Sequence, residues 1–380
     1  METSEVYLTR VSAFLPNEPV SNEEMEQFLG FIGGRRSRSR PIVLRNNRIT
    51  SRHYAIDREG RSTHTNAQIA AEAVRRLYGP GFGPADLELL ACGTTSPDQL
   101  LPPHASMVHG ELGGAPAETV TFTGACLSGI DALKYAFLAV KCGQVRSAVA
   151  AGSEKLSNWM LARGFEEEAH LLAALEENPI IAFEKDFLRW MLSDGAGAAL
   201  LAGCPAPGGT SLRVEWIDIV SYANEVGTCM WAGAERDEAG ALRGWRDWEP
   251  REWLSRSVFS FKQDVRLLDR HIAVLGARSV AAALTRHGVA PEEIDWFLPH
   301  LSSMYFAPQV AEELTRAGCG FPEGRWFVNL NRVGNVGAAS IYLALEELLA
   351  TKALAPGTRI LLAVPESSRF SYANALLTVV

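Results

Sequence analysis

The sequence predicts an α/β protein made of two related halves, each with a mainly parallel sheet covered by helices. Two observations support this prediction. Predicted helices alternate with apolar strands along the chain. The alternation also occurs twice: an Ala-rich helix, a Gly/Pro turn, an acidic segment and a strand begin at Ala67 and again at Ala277. Two sheets that share buried helices would form a layered body.

The repeat keeps its spacing along the chain. Leu87 aligns with Ile294 at an offset of 207, and Cys126 aligns with Asn335 at an offset of 209. Around the second pair, each copy has a Gly-rich turn, a helix, a glycine and a strand that ends in an acidic residue. Ordered matches at nearly one offset indicate an internal duplication. We assign residues 1–205 to the N-terminal half and residues 206–380 to the C-terminal half.

Composition narrows the class of protein. The chain has 380 residues, of which 47% are hydrophobic and 21% are charged, as in an ordinary globular protein. Its net charge of −8 argues against binding to nucleic acid or to anionic membranes. The N-terminal residues lack the features of a signal peptide, so we expect a cytoplasmic protein. The six cysteines include no C-x-x-C pair, so we expect neither a metal site nor a disulfide framework.

Three segments interrupt the α/β alternation. Residues 30–52 contain seven arginines. Residues from about 155 to 190 form a predicted amphipathic helical insertion with several aromatic side chains. Residues 221–256 form a second insertion, which contains four tryptophans.

One cysteine stands at a position where a reactive thiol is expected. In "FTGACLSGID", Cys126 stands at the predicted first turn of a helix. The positive end of the helix dipole lowers a thiol pKa there, and the helix N–H groups can stabilise an oxyanion. The alternative is a small residue that lets the helix pack closely on its strand.

The duplication indicates two further candidate site residues. His300 ends a predicted strand in "WFLPH", where α/β proteins often build sites, and Asn335 lies between glycines at the helix start that pairs with Cys126. Alone, each is more typical of a structural histidine and a helix cap. Together with Cys126 they form a plausible nucleophilic cluster, because pseudo-symmetry brings the two helix starts together.

These residues lie in motifs that resemble a known family. "GACLSGIDALKYA", "LSDGAGAALL", "IDWFLPH" and "VGNVGAASIYLALEEL" resemble, in that order, the β-ketoacyl-acyl-carrier-protein synthase III branch of the thiolase-fold condensing enzymes. The resemblance implies a five-layer αβαβα fold and a homodimer. It also implies thioesters of coenzyme A or of the phosphopantetheine of an acyl carrier protein as substrates, and no permanently bound cofactor.

The resemblance implies roles for individual residues. Cys126, His300 and Asn335 match the family's catalytic triad. Cys126 would take an acyl group from a thioester, and His300 and Asn335 would then bind the enolate oxygen of a malonyl-type or β-ketoacyl thioester that attacks it. The backbone N–H groups of Cys126 and Ser368 would form the oxyanion hole. Leu101, in "DQLLPPH", is the position that would reach the acyl pocket of the partner subunit.

The sequence also departs from the family pattern. His300 is followed by Leu301-Ser302-Ser303 where the family has Gln-Ala-Asn, so Ser303 is the candidate for the missing polar side chain. A basic docking residue beyond the histidine is absent. Arg35, Arg36 and Arg38 are our candidates for docking a carrier protein or a nucleotide phosphate, and a solvated basic loop is the alternative.

These departures from the family pattern favour an enzyme of secondary metabolism. "RNNRITSRHYA", "LPHLSSMYF" and "PESSRFS" resemble the synthases that form dialkylresorcinols or cyclohexanediones. The two insertions would shape a large acyl tunnel or pack at a dimer interface. Two other functions stay open: an acyltransferase of the same fold that makes an ester or amide, and a non-catalytic subunit that binds acyl chains.

Overall fold

The computed structural model describes residues 5–37, 39–165 and 188–380. The elements of the first half are β1 (Tyr7–Phe14), β2 (Val20–Ser21), α1 (Met25–Leu29), α2 (Arg40–Asn47), β3 (Ser51–Arg52), α3 (Asn66–Arg75), β4 (Leu89–Thr94), α4 (His104–Leu112), β5 (Glu118–Thr123), α5 (Ser128–Lys141), β6 (Ser147–Glu154) and β7 (Gly195–Ala202).

The second half begins after a connection at residues 203–211, where the predicted boundary falls. Its elements are β8 (Leu212–Ser221), β9 (Met230–Trp231), β10 (Ala234–Arg236), β11 (Leu242–Gly244), α6 (Glu252–Ser255), β12 (Lys262–Gln263), α7 (Val265–His287), β13 (Trp296–Pro299), α8 (Ala307–Arg316), α9 (Leu330–Val333), α10 (Ser340–Thr351), β14 (Arg359–Glu366) and β15 (Ser371–Val379).

The two halves share one strand pattern. In the first half β4 runs parallel to β6, β6 antiparallel to β7, and β7 antiparallel to β1. In the second half β13, β14, β15 and β8 repeat these relations in the same order. Each half has a register shift at the equivalent place, so Thr9 and Glu215 face no residue of the neighbouring strand. These two residues are 206 positions apart, close to the offset found in the sequence.

One feature of the sheets differs from the expectation. The sequence predicted two separate sheets, but β1 and β8 pair at Tyr7 and Leu8, so the strands form one sheet in the order β13-β14-β15-β8-β1-β7-β6-β4-β5. The two halves of the sheet meet at β1 and β8, which are neighbours in the strand order. The strand β5 has only a trace of a counterpart, the single parallel bridge between Phe297 and Trp326.

Helices and sheet form five layers, which confirms the predicted fold class. The helices α5 and α10 lie in the middle and share one apolar core with strands of both halves. The helices α3 and α4 cover the outer face of the first half, and α7 and α8 cover the outer face of the second. None of the helices in the described ranges combines the length and the apolar character that a membrane span needs.

Local signals explain where the outer helices begin and end. Thr65 and Gln68 form a reciprocal capping box at the start of α3. The Asp264 side chain accepts the N–H of Leu267 at the start of α7, and Gly288 ends that helix in the left-handed conformation. These signals set the ends of the two helices.

The three unusual segments have different structures. Part of residues 30–52 forms α2, and part of residues 155–190 lies outside the described ranges. The insertion at 221–256 forms the hairpin β10–β11 and the short helix α6. Trp245 and Trp253 of this insertion cluster with Phe259 in edge-to-face contacts.

Candidate active site

Cys126 lies in the turn between β5 and α5, two residues before the helix begins at Ser128. It is partly exposed, and its neighbours Ala125 and Leu127 are buried. The strand delivers the cysteine to the carboxyl edge of the parallel sheet, where α/β proteins bind ligands. The residue is therefore held at a fixed position in front of the helix.

The environment of the thiol corrects one expectation. The sequence predicted that the helix start would lower the thiol pKa. Burial instead raises the pKa of Cys126 above its usual range, and the nearby carboxylates of Glu154 and Glu366 raise it further, while its own backbone N–H acts in the opposite direction. The prediction was wrong because residues distant in sequence surround the sulfur. The resting form is consequently the neutral thiol.

An open pocket lies beside this cysteine. Its wall contains both Cys126 and His300. Most of the remaining wall is apolar and comes from the second half: Ile272, Val280, Phe297, Phe306, Val310, Leu314, Ala363 and Val364. No residue of 221–256 lines it, so a lid from that insertion finds no support here. The pocket is suited to an apolar chain attached near the thiol.

His300 follows β13 and is 6% exposed. Its backbone N–H donates to the carbonyl of Ala363 at 2.8 Å, which ties it to β14. Its Nε2 is buried and has no hydrogen-bond partner in the described residues. Burial lowers the pKa of His300 to about 4, so the imidazole is neutral at pH 7. An unpartnered neutral nitrogen in a pocket wall is suited to bind a substrate oxygen.

Asn335 stands in a tight turn before α10 and is 4% exposed. Its backbone N–H donates to Met191 O and its carbonyl accepts from Ser193 N, both at 2.9 Å. The side-chain Oδ1 accepts the N–H of Gly337 at 3.0 Å. Because Oδ1 already accepts this bond, the side chain can bind a ligand through Nδ2, as a donor. Gly334, next to Asn335, lines a second cavity that also includes His300.

The starts of α5 and α10 meet closely. A Cβ atom on Gly129 would lie 2.1 Å from the carbonyl oxygen of Ala338, and one on Gly152 would lie 2.2 Å from the same atom. The Tyr342 hydroxyl donates to the carbonyl of Gly129 at 2.7 Å. Only glycine permits such an approach. The duplication predicted this meeting of two helix starts, and it brings the Cys126 and Asn335 turns together.

Sequence reasoning missed a polar group beneath the site. Glu154, the last residue of β6, is fully buried and accepts hydrogen bonds from Thr95, Ser96 and Ala338. Burial raises the pKa of Glu154 to about 7. The acidic end of the strand was visible in the repeat, but its contacts with distant segments were not.

Two of the predicted supporting residues have other contacts. The backbone N–H of Ser368 donates to Glu366 Oε1 at 2.9 Å, so it is already used, and Ser367 lines the pocket instead. This geometry disfavours Ser368 as an oxyanion donor. Ser303 is buried, and its Oγ accepts the N–H of Tyr305 at 3.2 Å. It caps a local turn rather than bonding to His300.

The predicted contact residues lie on the surface. Leu101 is 82% exposed and Leu100 is 71% exposed, in the loop between β4 and α4. Arg35 and Arg36 are exposed before α2, whereas Arg38 lies outside the described residues. Leu101, Arg35 and Arg36 are therefore exposed to solvent in the single chain.

Comparisons with known families agree with this architecture. Residues 106–204 match the model of the β-ketoacyl synthase N-terminal domain. Residues 284–365 match the model of the 3-oxoacyl-[acyl-carrier-protein] synthase III C-terminal domain. The first range contains Cys126, and the second contains His300 and Asn335.

Full-length relatives and solved structures extend the match. The chain is 23% identical over 367 residues to a β-ketoacyl-[acyl-carrier-protein] synthase III of Xanthomonas oryzae pv. oryzae, covering 96% of this chain and 95% of that protein. It is similar to AbyA1, a tetronic acid condensing enzyme, with a TM-score of 0.75, 24% identity and coverage of 98% and 99% of the two chains. A cysteine-to-serine variant of Xanthomonas campestris OleA, with bound lauric acid and lauroyl-CoA, has a TM-score of 0.74, 20% identity and 99% coverage of both chains.

The fold and the site define a thiolase-fold protein with a cysteine at one helix start and an asparagine at the paired start. The two family models and the relative from Xanthomonas oryzae support the resemblance to the β-ketoacyl-acyl-carrier-protein synthase III-like family that the motifs indicated.

Proposed function

We propose that the protein is a condensing enzyme that acylates Cys126 and then forms a carbon–carbon bond. The observation that carries this proposal is the shared pocket: the thiol of Cys126 and the neutral, unpartnered imidazole of His300 lie in one wall, with apolar residues around them. Asn335 stands at the paired helix start with Nδ2 available. This set of groups provides a nucleophile and two neutral hydrogen-bond donors.

In the first stage, the sulfur of Cys126 attacks the carbonyl of an acyl thioester. The thiol loses its proton as the carbon–sulfur bond forms, and that proton goes to the departing sulfur of the donor thioester. The backbone N–H of Cys126 donates to the developing oxyanion, and the thiol of coenzyme A or of a phosphopantetheine leaves. The apolar wall then holds the acyl chain.

In the second stage, a malonyl-type or β-ketoacyl thioester enters. The enolate forms when a malonyl-type thioester loses carbon dioxide or when a β-ketoacyl thioester loses an α-proton to water, and its oxygen accepts hydrogen bonds from His300 and Asn335. The enolate carbon attacks the acyl carbonyl, the sulfur of Cys126 leaves as the new bond forms, and a proton from water restores the thiol. Neutral donors are suited to this step because protonated groups would protonate the carbanion.

We further propose a role in secondary metabolism, in synthesis of the dialkylresorcinol or cyclohexanedione type. Support comes from the departures after His300 and from similarity to a tetronic acid condensing enzyme. The lauroyl-CoA bound to the similar OleA variant supports acyl-CoA thioesters as donors for this chain.

The proposed partners are a second copy of the chain, an acyl carrier protein and acyl-CoA, in the cytoplasm. Leu101 supports the homodimer because a side chain 82% exposed on an apolar loop gains from contact with a partner. Sedimentation of the double variant Leu100→Ser and Leu101→Ser tests this proposal. If these leucines contact a partner subunit, the variant should be more monomeric than the wild type.

Mass spectrometry of the intact protein tests the function. After incubation with acyl and β-ketoacyl thioesters, the wild type should gain an acyl mass on Cys126, and Cys126→Ala should gain none. Addition of a second thioester should then release a longer β-dicarbonyl or cyclic product. Discharge only by an alcohol or amine would favour the acyltransferase alternative. The absence of any acyl mass would favour the non-catalytic subunit.

A further inference from the structure

A buried carboxylate connects the two halves of the site and has no role in the chemistry above. Glu154 Oε1 accepts from Thr95 Oγ1 at 2.7 Å, from Thr95 N at 3.0 Å and from Ala338 N at 3.1 Å. Its Oε2 accepts from Ser96 Oγ at 2.6 Å. The donors come from the loop after β4 and from the turn before α10. One side chain therefore joins three segments that are distant in sequence.

The bond to Ala338 matters because of its position. Ala338 lies three residues after Asn335, and Asn335 Oδ1 holds the N–H of Gly337. Successive N–H groups of this turn are thus held by Asn335 on one side and by Glu154 on the other. A Cβ atom on Gly337 would lie 2.7 Å from Glu154 Oε1, and the φ of this glycine is +50°. The turn leaves space for the carboxylate only because a glycine stands there.

The charge of the same carboxylate reaches the nucleophile. The carboxylates of Glu154, at the end of β6, and of Glu366, at the end of β14, both raise the pKa of Cys126. His300 and Tyr372 are the other titratable groups in the wall of the shared pocket, and burial keeps both neutral. Because burial raises the pKa of Glu154 to about 7, its carboxylate carries its full charge only on the alkaline side of neutral pH, which is also where a thiol titrates.

We propose that Glu154 is a positioning residue with two effects: it holds the Asn335 turn in place for carbon–carbon bond formation, and its charge acts on the thiol of Cys126 at the paired helix start. The first effect depends on the reach of the side chain to Ala338. The second depends on its charge alone. This inference rests on the proposed function for its first effect, whereas the second can be measured without any thioester.

Two substitutions separate reach from charge. Glu154→Gln keeps the size of the side chain and an oxygen that can accept from Ala338, but it removes the charge. Glu154→Asp keeps the charge and shortens the side chain by one carbon. Cys126 is alkylated by iodoacetamide for a fixed time at each pH from about 6 to 10 and quantified by peptide mass spectrometry. The alkylation midpoint is the pH at which half of Cys126 reacts in that time, so it follows the thiol pKa even when that pKa lies above this range. Product formed per acyl-enzyme measures the condensation step.

We expect opposite results for the two variants. In Glu154→Gln the midpoint of Cys126 alkylation should move about one pH unit lower, with condensation within about threefold of the wild type. In Glu154→Asp the alkylation midpoint should stay in place, while condensation should fall about 10- to 100-fold because Asn335 is displaced. Acylation from a small thioester should persist in both variants. A merely structural carboxylate would lower stability without moving the alkylation midpoint.

Asp194 provides a matched control. It is also fully buried, and its carboxylate accepts from Ala55 N, Leu156 N, Ser157 N and Ser157 Oγ. Its charge is not among those that raise the pKa of Cys126. Asp194→Asn should therefore lower stability and leave the alkylation midpoint at its wild-type value.

The outcomes that overturn the proposal are distinct from a failure of the proposed function. A wild-type alkylation midpoint in Glu154→Gln, with the fold verified by circular dichroism, overturns the effect of charge. Wild-type condensation in Glu154→Asp overturns the effect of position. A wild-type protein that no thioester acylates would instead contradict the proposed function, and the alkylation result would still decide the effect of charge.

Discussion

The two halves of the molecule share one scaffold but contribute different groups to the site. At paired helix starts, the first half has Cys126 and the second has Asn335. At paired strand ends, Glu154 is bound by donors from both halves, whereas Glu366 accepts from Ser368 two residues along its own chain. A duplicated scaffold fixes where two helix starts meet, and the side chains placed there decide which stage of the proposed reaction each half would serve.

The largest expected effect separates the two halves by stage. His300→Ala and Asn335→Ala should still acylate Cys126, because the nucleophile belongs to the first half. Each should lower carbon–carbon bond formation by about 100- to 1,000-fold, since each removes a donor to the enolate oxygen. Intact mass measures acylation, and chromatography measures product. If either variant kept full condensation, the division between the halves would be wrong.

The contact between the halves should be sensitive to one methyl group. In Gly152→Ala the new Cβ would lie 2.2 Å from the carbonyl oxygen of Ala338, so backbone must move. We expect a loss of about 3 kcal/mol in the free energy of unfolding, measured in urea. Gly110→Ala is the control, because its Cβ would meet no atom within 4 Å inside α4. Equal stabilities of the two variants would contradict the close contact.

The neutral histidine of the second half predicts a pH dependence. The folded pKa of His300, about 4, lies below its ordinary value of 6.5, so the unfolded chain binds more protons between these values. The stability of the wild type should therefore fall relative to His300→Gln as the pH drops from 6.5 towards 4. The condensation rate of the wild type should show no titration of His300 near pH 6.5, the ordinary pKa of a histidine. Urea unfolding and rate profiles at several pH values measure both.

The smallest effect concerns a segment that only the first half contains. Replacing Arg35 and Arg36 by alanine should weaken binding of an acyl carrier protein by about 1 kcal/mol and leave acylation from a small thioester unchanged. Surface plasmon resonance measures the binding. The substitution of Arg45 and Arg48, exposed at the end of α2, is the control for total charge. Equal loss of binding and acylation would indicate a role in folding instead.

Several features of the protein follow from the sequence alone. The periodicities predicted the α/β class and the duplication, because alternation of helix and strand is local and repeats along the chain. The position of Cys126 at a strand-to-helix turn, and of Asn335 at the paired turn, also follow from local pattern. The motifs around them were enough to indicate the family.

Other features depend on tertiary structure. The sequence alone could not show that burial and two glutamates raise the pKa of Cys126. It also could not show that the N–H of Ser368 donates to Glu366, or that Glu154 accepts from Ala338. Each depends on which residues distant in sequence share a buried space. Desolvation and hydrogen bonding are set by that packing, whereas sequence periodicity reports only the face that a residue presents.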